Sequence, residues 1–90
     1  MNLAKYESRL RALPCVVGAT MGLGCQCEEL HHVGDASERD DWAQIPLCRE
    51  HHQGKTGVHG LRRREFHARY KLTDVQMLAL TRYLYAKEYE

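Results

Sequence analysis

Two adjacent histidine pairs, His31-His32 and His51-His52, stand twenty residues apart, with Cys27 and Cys48 shortly before them. His59 follows, so five of the six histidines fall between positions 31 and 59. A lone histidine is more often a surface or satisfied core residue than a ligand. Imidazoles crowded beside cysteines are different, because neutral imidazole and thiolate are the ligand types zinc takes most readily. The clustering predicts a metal site.

Cys48-Arg49-Glu50-His51 has the Cys-x-x-His spacing at which one turn of chain presents two ligands to one ion. The other half of such a site is less regular. Cys15 is a natural candidate, but Gly18, three residues on, has nothing to coordinate with. Cys27 or Cys25 must then complete a structural zinc site with Cys15, Cys48 and His51. Whichever of the two is left over reads as a small buried hydrophobe. A 90-residue chain buries a thin core, and a metal staple is a common remedy.

With His51 assigned to zinc, His52 is free to hold a second, catalytic divalent ion together with His31. Neighbouring side chains on a strand point to opposite faces, which leaves His32 for other work. Phosphodiester hydrolysis needs an activated water, neutralised phosphate charge and help for the leaving oxygen. A histidine can take the proton from water, and a divalent ion can answer the other two needs. His32 is therefore the expected base. Asp41 is placed to orient it or its loop, and reads equally well as a helix-cap or solvated carboxylate.

The net charge of +1 hides a strong asymmetry. Lys55, Arg62, Arg63, Arg64, Arg69 and Lys71 face only Glu65 in the segment 55–71, whereas the segment 28–41 carries six acids against Arg39. On charge alone both are ordinary solvated faces. Beside the histidines they suit a protein that holds phosphate with one part and metal with another. Lys55 and Arg62-Arg63-Arg64 are the expected DNA-backbone contacts. Nothing aligns Asn, Gln and Arg on one helix for base reading, so no sequence specificity is expected. No apolar run approaches the roughly 20 residues of a membrane span. The charged segment Met1–Glu7 lacks the apolar run of a signal peptide, so a cytoplasmic protein with reduced, ligand-bearing cysteines is expected.

These groups must be positioned by short elements. Residues 2–12 read as a helix capped by Asn2, with Leu3, Tyr6, Leu10 and Leu13 on one face and Pro14 ending it. Residues 15–34 hold four glycines and two β-friendly pieces, Cys15-Val16-Val17 and 27–33, which read as a hairpin with an irregular tip. Residues 34–44 should be an acidic loop. Ile45-Pro46-Leu47-Cys48 then leads into a helical turn over 49–53 stopped by Gly54. Helices are expected at about 61–70 and 73–87. Thr73 and Gln76 match a capping box for the second, which carries Met77, Leu80 and Leu84 on one stripe and Leu78 and Tyr85 on the next.

His31-His32, Asp41-Trp42, Ile45-Pro46-Leu47-Cys48, His51-His52 and the run Gln53 to Gly60 with His59, followed by Phe66 and Tyr70, resemble the HNH nucleases over roughly residues 13 to 81. The likeness is closest to the small phage-type members related to the RecA-dependent nuclease of recombination enhancement. It implies an α+β fold of one domain: a zinc-stapled ββα-metal, treble-clef-like core over about 13–60, with flanking N- and C-terminal helices. It implies a DNA endonuclease with a structural Zn²⁺ and a catalytic Mg²⁺, Mn²⁺ or Zn²⁺. His32 would be the base, His31 and His52 metal ligands, and Asp41 the residue at the family's central Asn/Asp position. His59 matches a histidine of the phage-type relatives, with a metal or phosphate role. DNA is the implied partner, with a RecA-type recombinase as a candidate second one. The chain departs from the pattern at Gly18, where the first Cys-x-x-Cys has its second cysteine. A non-catalytic zinc module binding DNA or a recombination protein is the competing expectation.

Overall fold

The computed structural model describes residues 1–34 and 39–90. Part of the acidic loop expected over 34–44, including Asp35 and Glu38, lies outside them. The chain is α+β, with a two-stranded sheet and helices before and after it.

Helix α1 spans Leu3–Arg11, and the Asn2 side chain accepts from the Lys5 N–H as its cap. Leu10 and Leu13 are buried with Tyr85, and Tyr6 and Leu30 pack at the margin of this group. The helix ends before Pro14, as expected, because a residue preceding proline is pushed out of the helical region. Pro14 instead pairs with Gln26 in an isolated antiparallel bridge.

The hairpin expected within 15–34 is not what forms there. Cys15-Val16-Val17 opens a helix, α2, over Val16–Met21. The Cys15 sulfur accepts from the Gly18 N–H as an N-cap, and Gly22 ends the helix at φ +68, a conformation open to glycine. Val16 and Val17 are fully buried, so packing overrides their β preference.

The strands are β1, Glu29–His32, and β2, Gln44–Leu47, paired antiparallel with His31 opposite Ile45 and His32 opposite Gln44. The β-friendly piece around residues 27–33 is thus a strand, but its partner lies beyond the acidic loop. Pro46 is tolerated because β2 pairs on only one side. Every residue of β2 is buried. It lies between β1 and the group formed by α2, Phe66 and Met77.

A short helix α3, Arg49–Gln53, follows directly and stops at Gly54 as expected. The helix expected at 61–70 is split into α4, Val58–Leu61, and α5, Arg63–Tyr70. Arg62 lies between them at φ 70, ψ 157. Helix α6, Asp74–Tyr89, starts with both halves of the Thr73–Gln76 capping box in place. Its deepest positions are Met77, Thr81 and Tyr85, while Leu80 and Leu84 are only half-buried. Thr81 is accepted in the core because its hydroxyl donates to the Met77 carbonyl. Among the described residues no helix is long and apolar enough to cross a membrane.

The capping box contributes to holding α6 across the core. Thr73→Ala should lower stability by about 1 kcal/mol, read as a lower urea midpoint with an unchanged slope.

Candidate functional site

Four potential ligands meet where α2, the loop after it, β2 and α3 converge. Cys15, Cys25, Cys48 and His51 bring their ligand atoms within 4.8 Å of one another. The His51 Nδ1 lies 3.4 Å from the Cys15 sulfur, 3.8 Å from Cys25 and 3.2 Å from Cys48. A tetrahedral zinc with ordinary Zn–S and Zn–N bonds separates its sulfur and nitrogen ligands by roughly 3.6 Å, so the donor set fits. Cys15 and Cys48 each cap a helix, accepting from the N–H three residues on, Gly18 and His51. The Gly18 N–H lowers the cost of carrying charge on the Cys15 sulfur. Burial raises the Cys15 thiol, and burial with the neighbouring Cys15 and Cys48 sulfurs pushes Cys25 up to about 12. Three thiolates can share this space only around a cation.

The fourth member of the cluster is Cys25, and the reason is local. A Cβ built on Gly18 would fall on the Cys25 sulfur. The loop 22–25 turns through Gly22 and Gly24, both at positive φ, and delivers Cys25 into the space that a side chain at 18 would fill. The missing side chain at 18 is thus the room for the replacement ligand. Cys27 is not part of the cluster: its thiol donates to the Glu29 carbonyl. Of the two alternatives left open by the spacing, the structure selects Cys25.

A second group forms on the other side of the same backbone. His31 of β1, His52 of α3 and His59 of α4 bring one ring nitrogen each within 4.8 Å of the others. His52 Nε2 and His59 Nε2 are 3.1 Å apart, close to the roughly 3.0–3.4 Å between two imidazole nitrogens on one ion. The His52 Nδ1–H donates to Glu29 Oε1 at 2.8 Å, which leaves the Nε2 lone pair facing the group. That bond, chiefly, holds the Glu29 carboxyl below the usual range. Burial, with His52 and His59 nearby, lowers His31 to about 4, so its ring is neutral at physiological pH.

His32, at the end of β1, sits beside rather than within this group. Its Nε2 is 3.9 Å from the Asp41 carboxylate, beyond direct hydrogen-bond range, and the Arg39 guanidinium lies 3.1 Å from its Nδ1. Asp41 is held by Gln44, a buried side chain that donates both to the Asp41 carbonyl and to Glu7 of α1. A cavity of about 300 Å³ runs from His31, His32 and His59 to Arg62, Arg63 and Asp74. Arg62 and Arg63 line it, whereas Lys55 and Arg64 are exposed outside its lining.

Spacing alone missed Glu29, Gln44 and Asp74. Glu29 was within reach, since it precedes His31 by two and so shares its strand face. Gln44 and Asp74 carry no local signal. Comparison with protein-family models, with curated proteins and with solved structures returns no match.

Two measurements follow from this geometry. Cys25→Ser should weaken zinc binding at least 100-fold by chelator competition, whereas Cys27→Ser should retain one tightly held zinc. An unfolded chain protonates a histidine near 6.5, and the folded one keeps His31 neutral to about 4. Stability should therefore fall as pH drops through that window. His31→Gln should lose less than wild type between pH 7 and roughly pH 5, compared by urea midpoints.

Proposed function

We propose that this chain is a metal-dependent DNA endonuclease of the HNH, ββα-metal type, stapled by a structural zinc on Cys15, Cys25, Cys48 and His51. One observation carries the reading. Ring nitrogens from β1, α3 and α4 converge on one point, and a further imidazole, His32, stands beside them in the same cavity. The order β1-β2-α3, with a ligand from the first strand and from the helix, supports the ββα-metal assignment.

In this reading His31, His52 and His59 hold a divalent ion, Mg²⁺, Mn²⁺ or Zn²⁺. That ion, when bound, neutralises charge on the phosphate and assists the leaving oxygen. His32 takes the proton from the attacking water. Asp41 steers the His32 ring by charge from 3.9 Å. Glu29 fixes the His52 tautomer so that Nε2 offers its lone pair. Lys55, Arg62, Arg63 and Arg64 meet the DNA backbone, which gives salt-dependent binding without base preference. The resemblance to the phage-type HNH nucleases adds a RecA-type recombinase as a second partner.

Wild type should nick or cleave plasmid DNA in Mg²⁺ or Mn²⁺. His32→Ala should lose at least about 100-fold of that rate while keeping its zinc and its melting temperature. DNA binding without cleavage under any divalent ion would instead identify a non-catalytic zinc module.

A further inference from the structure

The part of the cavity lining that follows His59 in the chain is unusual in its backbone. Arg62 occupies φ 70, ψ 157, a region that residues with a side chain rarely enter. Such a conformation persists only where the surroundings impose it, and it is frequent at binding sites. Here it breaks what would be one helix into α4 and α5, and both residues at the break, Arg62 and Arg63, line the cavity.

Arg63 is not left to wander. Its guanidinium bonds Asp74 at 2.6 Å, and the other Asp74 oxygen accepts from His67 Nε2–H at 2.9 Å. The Asp74 side chain is only 12% exposed, while that of Arg63 is 60% exposed. A largely buried carboxylate, itself oriented by His67, thus grips one edge of a guanidinium whose other donors have no partner among the described residues. A guanidinium has five N–H groups in a planar fork suited to phosphate oxygens. Among the described residues the cavity is lined by two arginines and one carboxylate, an excess of positive charge.

We infer that Arg62 and Arg63 form a phosphodiester-oxygen subsite in the cavity they share with His31, His32 and His59, and that Asp74 is the positioning residue that holds Arg63 there. The subsite deepens the nuclease reading and rests on it only for the source of the diester. Its chemistry, a phosphate oxyanion on two guanidinium groups, is shared by a DNA backbone and by free phosphate.

The full, zinc-loaded chain can be titrated with dimethyl phosphate and with inorganic phosphate while the arginine Nε–H signals are followed by NMR. Arg62 and Arg63 should shift with dimethyl phosphate, and Arg82, paired with Glu90 on α6, should not. Equal movement of all three, or none, overturns the subsite. Response to inorganic phosphate alone overturns the diester assignment. Arg63→Gln should weaken duplex DNA binding about tenfold and reduce the log–log salt slope by about one. Asp74→Asn should weaken the dimethyl phosphate response similarly, with partial rescue by Asp74→Glu. A purely structural Asp74 would lower the melting temperature and leave the titration unchanged, which overturns the positioning role. Wild type that binds dimethyl phosphate at Arg63 yet cleaves no DNA would sink the nuclease reading and leave the subsite standing.

Discussion

The constraint on which the rest of the structure depends is the meeting of Cys15, Cys25, Cys48 and His51 at one point. These residues come from the start of α2, the glycine loop after it, the end of β2 and the first turn of α3. Each is a short piece with little capacity to hold itself. Helix α2 has six residues and α3 has five, well below the length at which an isolated helix persists in water. Joined at their caps, they enclose the apolar group around Ile45, Leu47, Phe66 and Met77. A donor set of three sulfurs and one nitrogen suits a tetrahedral ion, whose binding free energy becomes folding free energy.

That junction also divides the labour of the second histidine pair. His51 turns its Nδ1 toward the sulfurs, and on the same short helix His52 turns the other way, toward Glu29, His31 and His59. The first pair is divided by the strand. Glu29 and His31 share the face turned to α3, Leu30 packs against the group of Leu10 and Tyr85, and His32 ends the strand beside Arg39 and Asp41. One imidazole group and one further ring thus arise from two dipeptides, because a helix and a strand separate adjacent side chains by different angles.

The cavity wall is completed from far along the chain. Asp74 begins α6, so the capping box that starts this helix also places the carboxylate that holds Arg63. The far end of α6 reaches α1, where Tyr85 and Tyr89 lie against Tyr6 and Arg9. Helix α1 in turn holds Gln44, and through it Asp41, by way of Glu7. Both flanking helices therefore act on the cavity through polar contacts of single side chains.

Much of this was legible in the residues. The histidine and cysteine spacing pointed to two ligand groups, Asn2 and Thr73 marked helix starts, and Gly54 marked a stop, because these signals act over three or four residues. What spacing could not decide was anything set by distant partners. The choice of Cys25 over Cys27 depends on the empty space at Gly18 and on how the loop closes over it. The helical state of Val16 and Val17 depends on burial against β2 and α6, which outweighs their β preference. The pairing of β1 with β2 and the grip of Asp74 on Arg63 come from contacts across 11 or more residues. Local chemistry wrote the ligands into the sequence, and long-range packing determined which of them meet.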